Sequence, residues 1–103
     1  MKTHSKKRIE IMIESPLLGR ITETLDAHGV TGYTVLPALA GRGEDGAWHR
    51  DGVIGRAGSL VMVISIIDAD RVQSVLEPLF KLVKGQIGIV TVSDVEVIRP
   101  DRF

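Results

Sequence analysis

An almost wholly apolar run of eight residues, Leu60 to Ile67, most constrains what this chain can fold into. It is far shorter than the roughly 20 apolar residues that a membrane-spanning helix needs. A continuous apolar run of this length is typical of a strand that is buried on both faces. The sequence therefore predicts a central strand whose sheet is covered by helices on one face and by a partner subunit on the other.

The residues at the start of the chain predict a strand and then a helix. Residues 7–14 alternate between apolar and charged side chains, which is the period of a half-buried strand. Ser15 and Pro16 predict a helix start, with serine as the N-cap and proline at the first helical position, and Gly29 predicts its end. The predicted inward-facing residues are Ile9, Ile11 and Ile13 in the strand and Leu17, Leu18, Ile21 and Leu25 in the helix.

The second strand is predicted from Tyr33 to Ala40. Pro37 lies within it, and proline lacks the N–H that a residue of a central strand donates to a neighbouring strand. We therefore expect this strand at an edge of the sheet or at a bulge.

A second helix and a last strand complete the pattern. Asp68 or Asp70 is the predicted cap of the helix, Pro78 favours a kink or an early break, and Gly85 ends it. The last strand is predicted over 89–98. The predicted buried stripe of the helix is Val72, Val75, Leu76, Leu79, Phe80 and Val83.

The resulting order, β-α-β-β-α-β, predicts an α+β ferredoxin-like sandwich with a long loop between the second and third strands. Two helices cover one face of a four-stranded antiparallel sheet. The apolar residues on the other face predict association of identical subunits. At 103 residues, the chain is expected to be one domain over 1–103, in which residues 41–58 form a flexible segment.

Composition excludes several classes of function. Thirteen basic residues balance thirteen acidic ones, so no overall field favours nucleic acid or an anionic membrane. The chain has no cysteine, which excludes thiolate chemistry, and its three histidines match no zinc spacing. We expect a cytoplasmic protein that binds no nucleic acid and does not insert into a membrane.

Two glycine-rich segments are the candidate binding regions. Of the eighteen residues from Gly41 to Gly58, six are glycine, and Arg42, Arg50 and Arg56 among them could each bind an oxyanion. A loop of this length is usually functional or disordered, and a solvated hairpin tip without a ligand is the alternative. Trp48 could stack on a ring, insert into a partner, or simply be an aromatic residue in a disordered loop.

The second segment is the short turn from Lys84 to Gly88. Backbone amides in such a turn can form an anion-binding nest, although a plain helix end followed by a turn explains the same residues. Arg99 and Arg102 follow the last strand, where they are either solvated or close to the base of the long loop, within one subunit or between subunits.

The ordered set of these motifs resembles the PII signal-transduction family. In that family a glycine-threonine-glycine segment opens the second strand and a glycine-rich turn begins the long T-loop, as in 29–35 and 41–43 here. The apolar third strand, the glycine turn and the 94–99 segment agree in order, so the resemblance covers nearly the whole chain.

The resemblance implies a homotrimer with adenine-nucleotide sites (ADP, AMP or ATP) in the clefts between subunits. It places Thr31 by the adenine and the backbone of Gly41, Arg42 and Gly43 against the nucleotide. It also implies phosphate contacts from two further regions, which comprise Lys84, Gly85, Gly88, Arg99 and Arg102.

The departures from the family pattern narrow the implied role. The glycine turn is about three residues shorter than in nitrogen-regulatory members, and the long loop lacks their uridylylated tyrosine. The chain is more similar to PII-like proteins associated with carboxysomes or bicarbonate uptake. A regulatory sensor rather than an enzyme is implied, with bicarbonate as a second ligand held by the loop arginines, and with a bicarbonate transporter or a carboxysome-associated protein as the target.

Three other functions are less consistent with the sequence. A metal-binding trimer of the CutA type lacks support from the scattered histidines. An acylphosphatase-like enzyme would need an asparagine to orient water, and the chain has none. An RNA-binding sheet would need aromatic residues on its central strands, and residues 60–67 contain none.

Overall fold

The computed structural model describes residues 1–43, 46–49, 60–101 and 103, and these form an α+β sandwich. Its main sheet is antiparallel, with the strand order β2-β5-β1-β6, and two helices lie on one face. The elements are β1 (His4–Glu14), α1 (Leu18–Ala27), β2 (Thr34–Pro37), β3 (Ala40–Gly43), β4 (Gly46–His49), β5 (Leu60–Ile67), α2 (Val72–Val83) and β6 (Gly88–Val97). The predicted ferredoxin-like fold is confirmed.

The core lies between the sheet and the helices. Strands β1 and β5 are adjacent at the centre of the sheet, and Ile11 of β1 pairs with Val63 of β5. Both side chains are fully buried, as are Ile21 and Leu25 of α1. The period-two and period-3.6 patterns therefore converge on one apolar layer, which is the dominant favourable contribution to folding.

The other face of the sheet is not covered by helices. Along β5 the buried residues alternate with half-buried ones, so Met62, Ile64 and Ile66 point away from the helices. Met62 has Met12 and Leu36 as its cross-strand neighbours, and Leu36 is 46% exposed. We call this surface the open face. The central position of β5 is confirmed, but within one chain only one of its faces is covered.

Both helices begin differently from the prediction. A single turn of 3₁₀ helix precedes each of them, over Ser15–Leu17 and Ala69–Arg71. The prediction that Ser15 and either Asp68 or Asp70 cap the helices is wrong, because no side chain makes a capping hydrogen bond at these starts. The Asp68 carboxylate instead pairs with a lysine of β1. The ion pair between distant parts of the chain uses the Asp68 carboxylate, which is therefore not the cap of the helix.

The second helix excludes one of the two alternatives for Pro78 and corrects the prediction for Phe80. It continues through Pro78 for five residues, so the helix does not break early there. Val75 and Leu79, on either side of the proline, are fully buried, and their packing offsets the hydrogen bond that proline removes. Phe80 is 61% exposed and is not part of the buried stripe. At 100° per residue it lies about 90° from the centre of that stripe.

The long connection between β2 and β5 begins with more order than expected. The predicted strand to Ala40 ends at Pro37, and β2 is an edge strand, as the proline indicated. The chain then forms a short hairpin in which Gly41 pairs with Trp48. This part of the predicted flexible segment is therefore paired backbone, and the rest of it lies outside the described residues.

In the described part of the chain no helix is long and apolar enough to cross a membrane.

Candidate functional site

The predicted site residues lie at two opposite ends of the main sheet. At one end, Pro37 pairs with Val61, and Ile13 pairs with Gly88 at the start of β6. We call this the Gly88 end. At the other end, Val97 closes β6 opposite His4 of β1. Thr31 precedes β2 at that side of the sheet, and we call it the Thr31 end.

The turn from Lys84 to Gly88 lies at the Gly88 end. Gly85 has φ +78°, a left-handed conformation that follows the last helical residue, and Lys84 and Gly85 are exposed. The Gln86 N–H donates to the Val83 carbonyl over 2.9 Å. The predicted helix end at Gly85 is confirmed, and the turn is exposed, while the anion-binding nest stays a prediction.

Gly88 itself has a structural reason to be glycine. A Cβ added there would lie 3.1 Å from Ile13 Cγ2 and 3.3 Å from the Met12 carbonyl oxygen. These distances are tighter than ordinary van der Waals contacts, so the residue allows β6 to lie close against β1. This close approach also keeps the turn against the end of the sheet, where a ligand would meet its backbone.

The base of the long connection lies at the same end. The Ala38 N–H donates to the Leu60 carbonyl over 3.0 Å, which joins the two sides of the connection just beyond β2 and β5. Gly41 to Gly43 follow directly, and the Arg42 side chain is exposed. Arg50 and Arg56 lie outside the described residues, as does the side chain of Trp48.

A recess of about 360 Å³ lies at the Gly88 end. Its lining residues come from the end of β1, the start of α1 and the glycine turn; they are Glu14, Pro16, Leu17, Arg20, Gln86 and Ile87. Polar and apolar atoms are mixed there. The base of the long connection and Arg42 are not part of this lining.

A second recess of about 340 Å³ lies at the Thr31 end. The segment Gly32–Thr34 forms one wall, the Ile64–Ile66 part of β5 forms another, and Phe103 closes a third. Ser65 is 3% exposed, and its Oγ donates to the Gly32 carbonyl over 2.7 Å. This hydrogen bond fixes the segment that follows Thr31 against the central strand.

The segment after β6 returns to this recess. Arg99 is exposed, and Phe103 lies beside the end of β5, where the Asp68 N–H donates to the Phe103 oxygen over 3.4 Å. The Lys6 ammonium lies 5.5 Å from the centroid of the Phe103 ring and 2.5 Å from Asp68 Oδ1. Arg102 lies outside the described residues. Thr31 and Arg99 are therefore at the same end of the sheet.

The separation between the two ends decides what one chain can bind. Strand β6 runs from Gly88 to Val97, and nine residue steps in a strand span about 30 Å. A small-ligand pocket of about 300–1,000 Å³ is only about 10 Å across. One ligand therefore cannot contact both ends of the same sheet at once.

The Glu96 carboxylate on β6 accepts hydrogen bonds from two hydroxyls on the β1 side of the sheet. Thr3 and Ser5 donate hydrogen bonds to the two carboxylate oxygens of Glu96, over 2.8 and 2.6 Å. The bonds from Ser5 and then Thr3 hold the pKa of Glu96 below its ordinary value of 4.5. Among residues 1–43, 46–49, 60–101 and 103, no three potential ligand side chains cluster as a metal site would require.

Sequence reasoning missed the residues that build the Thr31 end. Ser65 is the one polar residue in the apolar run, and that interruption was a usable signal for a buried hydroxyl with a specific partner. Lys6, Asp68 and Phe103 gave no such signal. Their contacts join positions far apart in the chain, and they depend on strand register rather than on local pattern.

The fold and these two recesses define a ferredoxin-like α+β protein with glycine-rich backbone at one end of its sheet and a side-chain-lined recess at the other. The family model of the nitrogen regulatory protein P-II matches residues 6–102. The chain belongs to this family, so the resemblance drawn from its motifs is confirmed. A comparison with curated proteins finds no match.

Solved structures of CPII, a nitrogen regulatory PII-like protein from Thiomonas intermedia K12, are similar to this chain. The structure bound to ADP, AMP and bicarbonate has a TM-score of 0.84 and 30% identity, covering 99% of this chain and 96% of CPII. The structure bound to ADP and bicarbonate has a TM-score of 0.82 and 31% identity, covering 99% and 97%. The apo form has a TM-score of 0.75 and 28% identity, covering 96% and 98%. These similarities support the PII-like subgroup.

Proposed function

We propose that this chain is a PII-like regulatory sensor that binds adenine nucleotide, with bicarbonate as a second ligand. Its nucleotide sites lie between subunits of a homotrimer. Ligand binding orders residues 41–58, and that loop controls a target protein in inorganic-carbon metabolism, either a bicarbonate transporter or a carboxysome-associated protein.

The separation of the two ends is the observation that carries the proposal. Thr31 and Arg99 lie at one end, and Lys84, Gly85 and Gly88 lie at the other. A single chain cannot apply both groups to one nucleotide. A cleft between neighbouring subunits can, if the Thr31 end of one chain faces the Gly88 end of the next.

The open face supports assembly into a trimer. Met62, Ile64 and Ile66 are only half-buried in the single chain, and Ile89 is 63% exposed at the adjacent edge. An apolar sheet face of this kind is favourably buried against identical subunits in a closed symmetric oligomer. The same burial would give the central strand the second covered face that its composition predicts.

The choice of ligands rests on chemistry and on similarity. Glycine turns present backbone N–H groups to phosphate, and Arg99 and Arg102 can make charge-assisted hydrogen bonds to it. CPII, which covers nearly the same length, has been solved with ADP, AMP and bicarbonate. Arg42, Arg50 and Arg56 are the groups that we assign to bicarbonate and to loop ordering, and we assign Trp48, which belongs to the same segment of sequence, to loop ordering with them.

The proposed output is regulatory rather than catalytic. A glycine-rich loop loses much conformational entropy when it becomes ordered, so ligand contacts can decide whether the loop is folded or free. Coupling between nucleotide and bicarbonate through one loop must be reciprocal, so each ligand should raise the affinity for the other.

Calorimetry on the full chain tests this function directly. ADP should bind, and bicarbonate should raise its affinity, while Trp48 fluorescence reports the loop. The Arg99→Ala variant should bind ADP about 10- to 100-fold more weakly, as expected for the loss of one charge-assisted hydrogen bond. A chain that binds no adenine nucleotide would overturn the proposal. ADP binding that is insensitive to bicarbonate would remove the inorganic-carbon part and leave the sensor.

A further inference from the structure

Three residues from three elements meet at the Thr31 end. Lys6 of β1 contacts Asp68, which follows β5, and its ammonium lies against the ring of Phe103, which follows β6. The Asp68 main-chain N–H also donates to the Phe103 oxygen. The Lys6 side chain is only 12% exposed, so this cation–π contact and ion pair are partly shielded from water.

These contacts close a short loop. Val97 pairs with His4 at the start of β1, and Phe103 returns to Lys6, two residues further along the same strand. Arg99 lies in the five residues between these anchors. Residues 98–101 are exposed and so are free to meet a ligand, but both ends of their segment are tied to β1.

Because both ends of the segment are held, Arg99 loses less conformational entropy on binding a ligand than it would on a free tail. A long side chain on a free tail loses backbone and side-chain freedom when a ligand orders it. On an anchored loop much of the backbone freedom has already been lost during folding. Pro100, directly after Arg99, restricts the segment further because its ring fixes φ.

The same contacts place Phe103, the residue at which this loop ends, at the recess. Phe103 is one of the residues that line it, opposite Gly32–Thr34. We propose that Lys6, Asp68 and Phe103 form a latch that holds Arg99 ready for the phosphate groups of a nucleotide seated at the Thr31 end. This inference rests on the proposed function, and it makes Lys6 a positioning residue that acts through Arg99.

The neighbouring residue provides a matched control. Lys7 pairs with Asp94 on β6, so it is also a lysine of β1 in an ion pair with an aspartate. That pair is more exposed, and it is Lys6, not Lys7, whose ammonium lies over the ring of Phe103 at the recess. Replacing either lysine with methionine removes one charge and one ion pair while keeping an unbranched side chain, but only Lys6→Met opens the latch.

The test is calorimetric titration of the full chain with adenosine, AMP and ADP. We expect Lys6→Met to weaken ADP binding about 3- to 10-fold, the cost of ordering one long side chain and its segment. Adenosine binding should stay within about twofold and AMP should fall between, because the loss acts on phosphate contacts. Lys7→Met should leave all three affinities within about twofold of the wild type.

Two further variants separate positioning from general damage. Lys6→Arg keeps the cation over the ring and should restore most of the ADP affinity. Combining Lys6→Met with Arg99→Ala should weaken ADP no more than Arg99→Ala alone, because the latch acts only through that arginine. Additive losses, or an equal loss for adenosine and ADP, would overturn the latch. If the wild type binds ADP and Lys6→Met binds it equally well, the latch is overturned and the proposed function stands. A wild-type chain that binds no nucleotide would overturn the proposed function and the latch with it.

Discussion

The two ends of the sheet differ in the side-chain hydrogen bonds that order them. At the Thr31 end, side chains add to the main-chain hydrogen bonds: the Ser65 hydroxyl donates to the Gly32 carbonyl, and the Arg71 guanidinium donates to the carbonyls of His28 and Gly29. At the Gly88 end, main-chain hydrogen bonds join the base of the long connection and close the turn after α2, and Gly85 supplies the positive φ that this turn needs.

This difference indicates what each end can offer a ligand. At the Thr31 end, side chains form the walls of the recess. An aromatic ring lies there, which is suited to a nucleotide base, and the nearby loop carries an arginine, which is suited to a phosphate. The exposed glycine turn at the Gly88 end places main chain where an anion can approach it. The two kinds of contact are complementary for one nucleotide, yet about 30 Å of strand separates them within a chain. The comparison therefore points to a site that two chains share.

The largest expected effect comes from preventing the two ends from meeting. Met62→Glu places a charge in the middle of the open face, and burying it unpaired would cost several kcal/mol. We expect sedimentation mass to fall from about three times the 11.2 kDa chain mass to a single chain, with ADP binding weakened by more than about 100-fold.

Phe80→Glu is the control for this variant. Phe80 is 61% exposed on α2, on the helical side of the sheet, so its replacement adds the same charge away from the open face. It should leave mass and affinity unchanged. An assembled Met62→Glu protein, or a single-chain protein that binds ADP normally, would contradict the shared site.

A smaller effect on ADP affinity, but a sharper test of the shared site, comes from two variants that each remove a side chain at one end of the sheet. Arg99→Ala and Lys84→Ala should each weaken ADP binding about 10- to 100-fold through the loss of a charge-assisted hydrogen bond. When the two proteins are unfolded, mixed and refolded, about a quarter of the sites should combine two intact ends if subunits assemble at random. Calorimetry of the mixture should then recover that fraction of high-affinity sites.

Sites that lie within one chain would give the opposite outcome. Every site in the mixture would still carry one of the two changes, and no high-affinity fraction would appear. Refolded wild-type protein, treated identically, controls for losses during mixing.

Alanine at the two helix ends should lower the free energy of unfolding by amounts that differ by about 1 kcal/mol. Gly29 and Gly85 both have positive φ, so alanine at either position is strained by about 1–2 kcal/mol. An alanine Cβ at position 29 would also lie 2.9 Å from Arg71 Nη2, whereas at position 85 it meets nothing within 4 Å. We expect urea unfolding to show a loss of about 2–3 kcal/mol for Gly29→Ala and about 1–2 for Gly85→Ala. Equal losses would mean that the Arg71 contacts contribute nothing.

The smallest effect concerns the exposed carboxylate on β6. Ser5→Ala removes the hydrogen bond that contributes most to the lowered pKa of Glu96, so that pKa should rise towards its ordinary value. Because the folded-state pKa is depressed, the ionised group stabilises the fold above its ordinary pKa, and this contribution is lost as pH falls through the lowered value. NMR titration of the Glu96 side chain measures the shift. Thr24→Ala, which removes a hydroxyl that bonds a helix carbonyl instead, should leave it unchanged.

Prediction from sequence succeeded where one segment carries its own signal. The apolar run of β5, the alternation in β1 and the glycine after each helix all report local geometry, and the structure has these elements within a few residues of the expected bounds. Prediction failed at the helix starts. Ser15 and Asp68 have good capping chemistry, but 3₁₀ turns and the pairing of Asp68 with Lys6 took precedence.

The sequence alone determined the order of the elements, the apolar face of each one and the set of glycines and arginines that could bind an anion. Those properties follow from periods of 2 and 3.6 residues and from the backbone freedom of glycine. Only the tertiary structure decided that these groups occupy two opposite ends of the sheet, and that Lys6 meets Asp68 across 62 positions of sequence. Such pairings depend on strand register and on the return path of the chain after β6, and no local pattern encodes either.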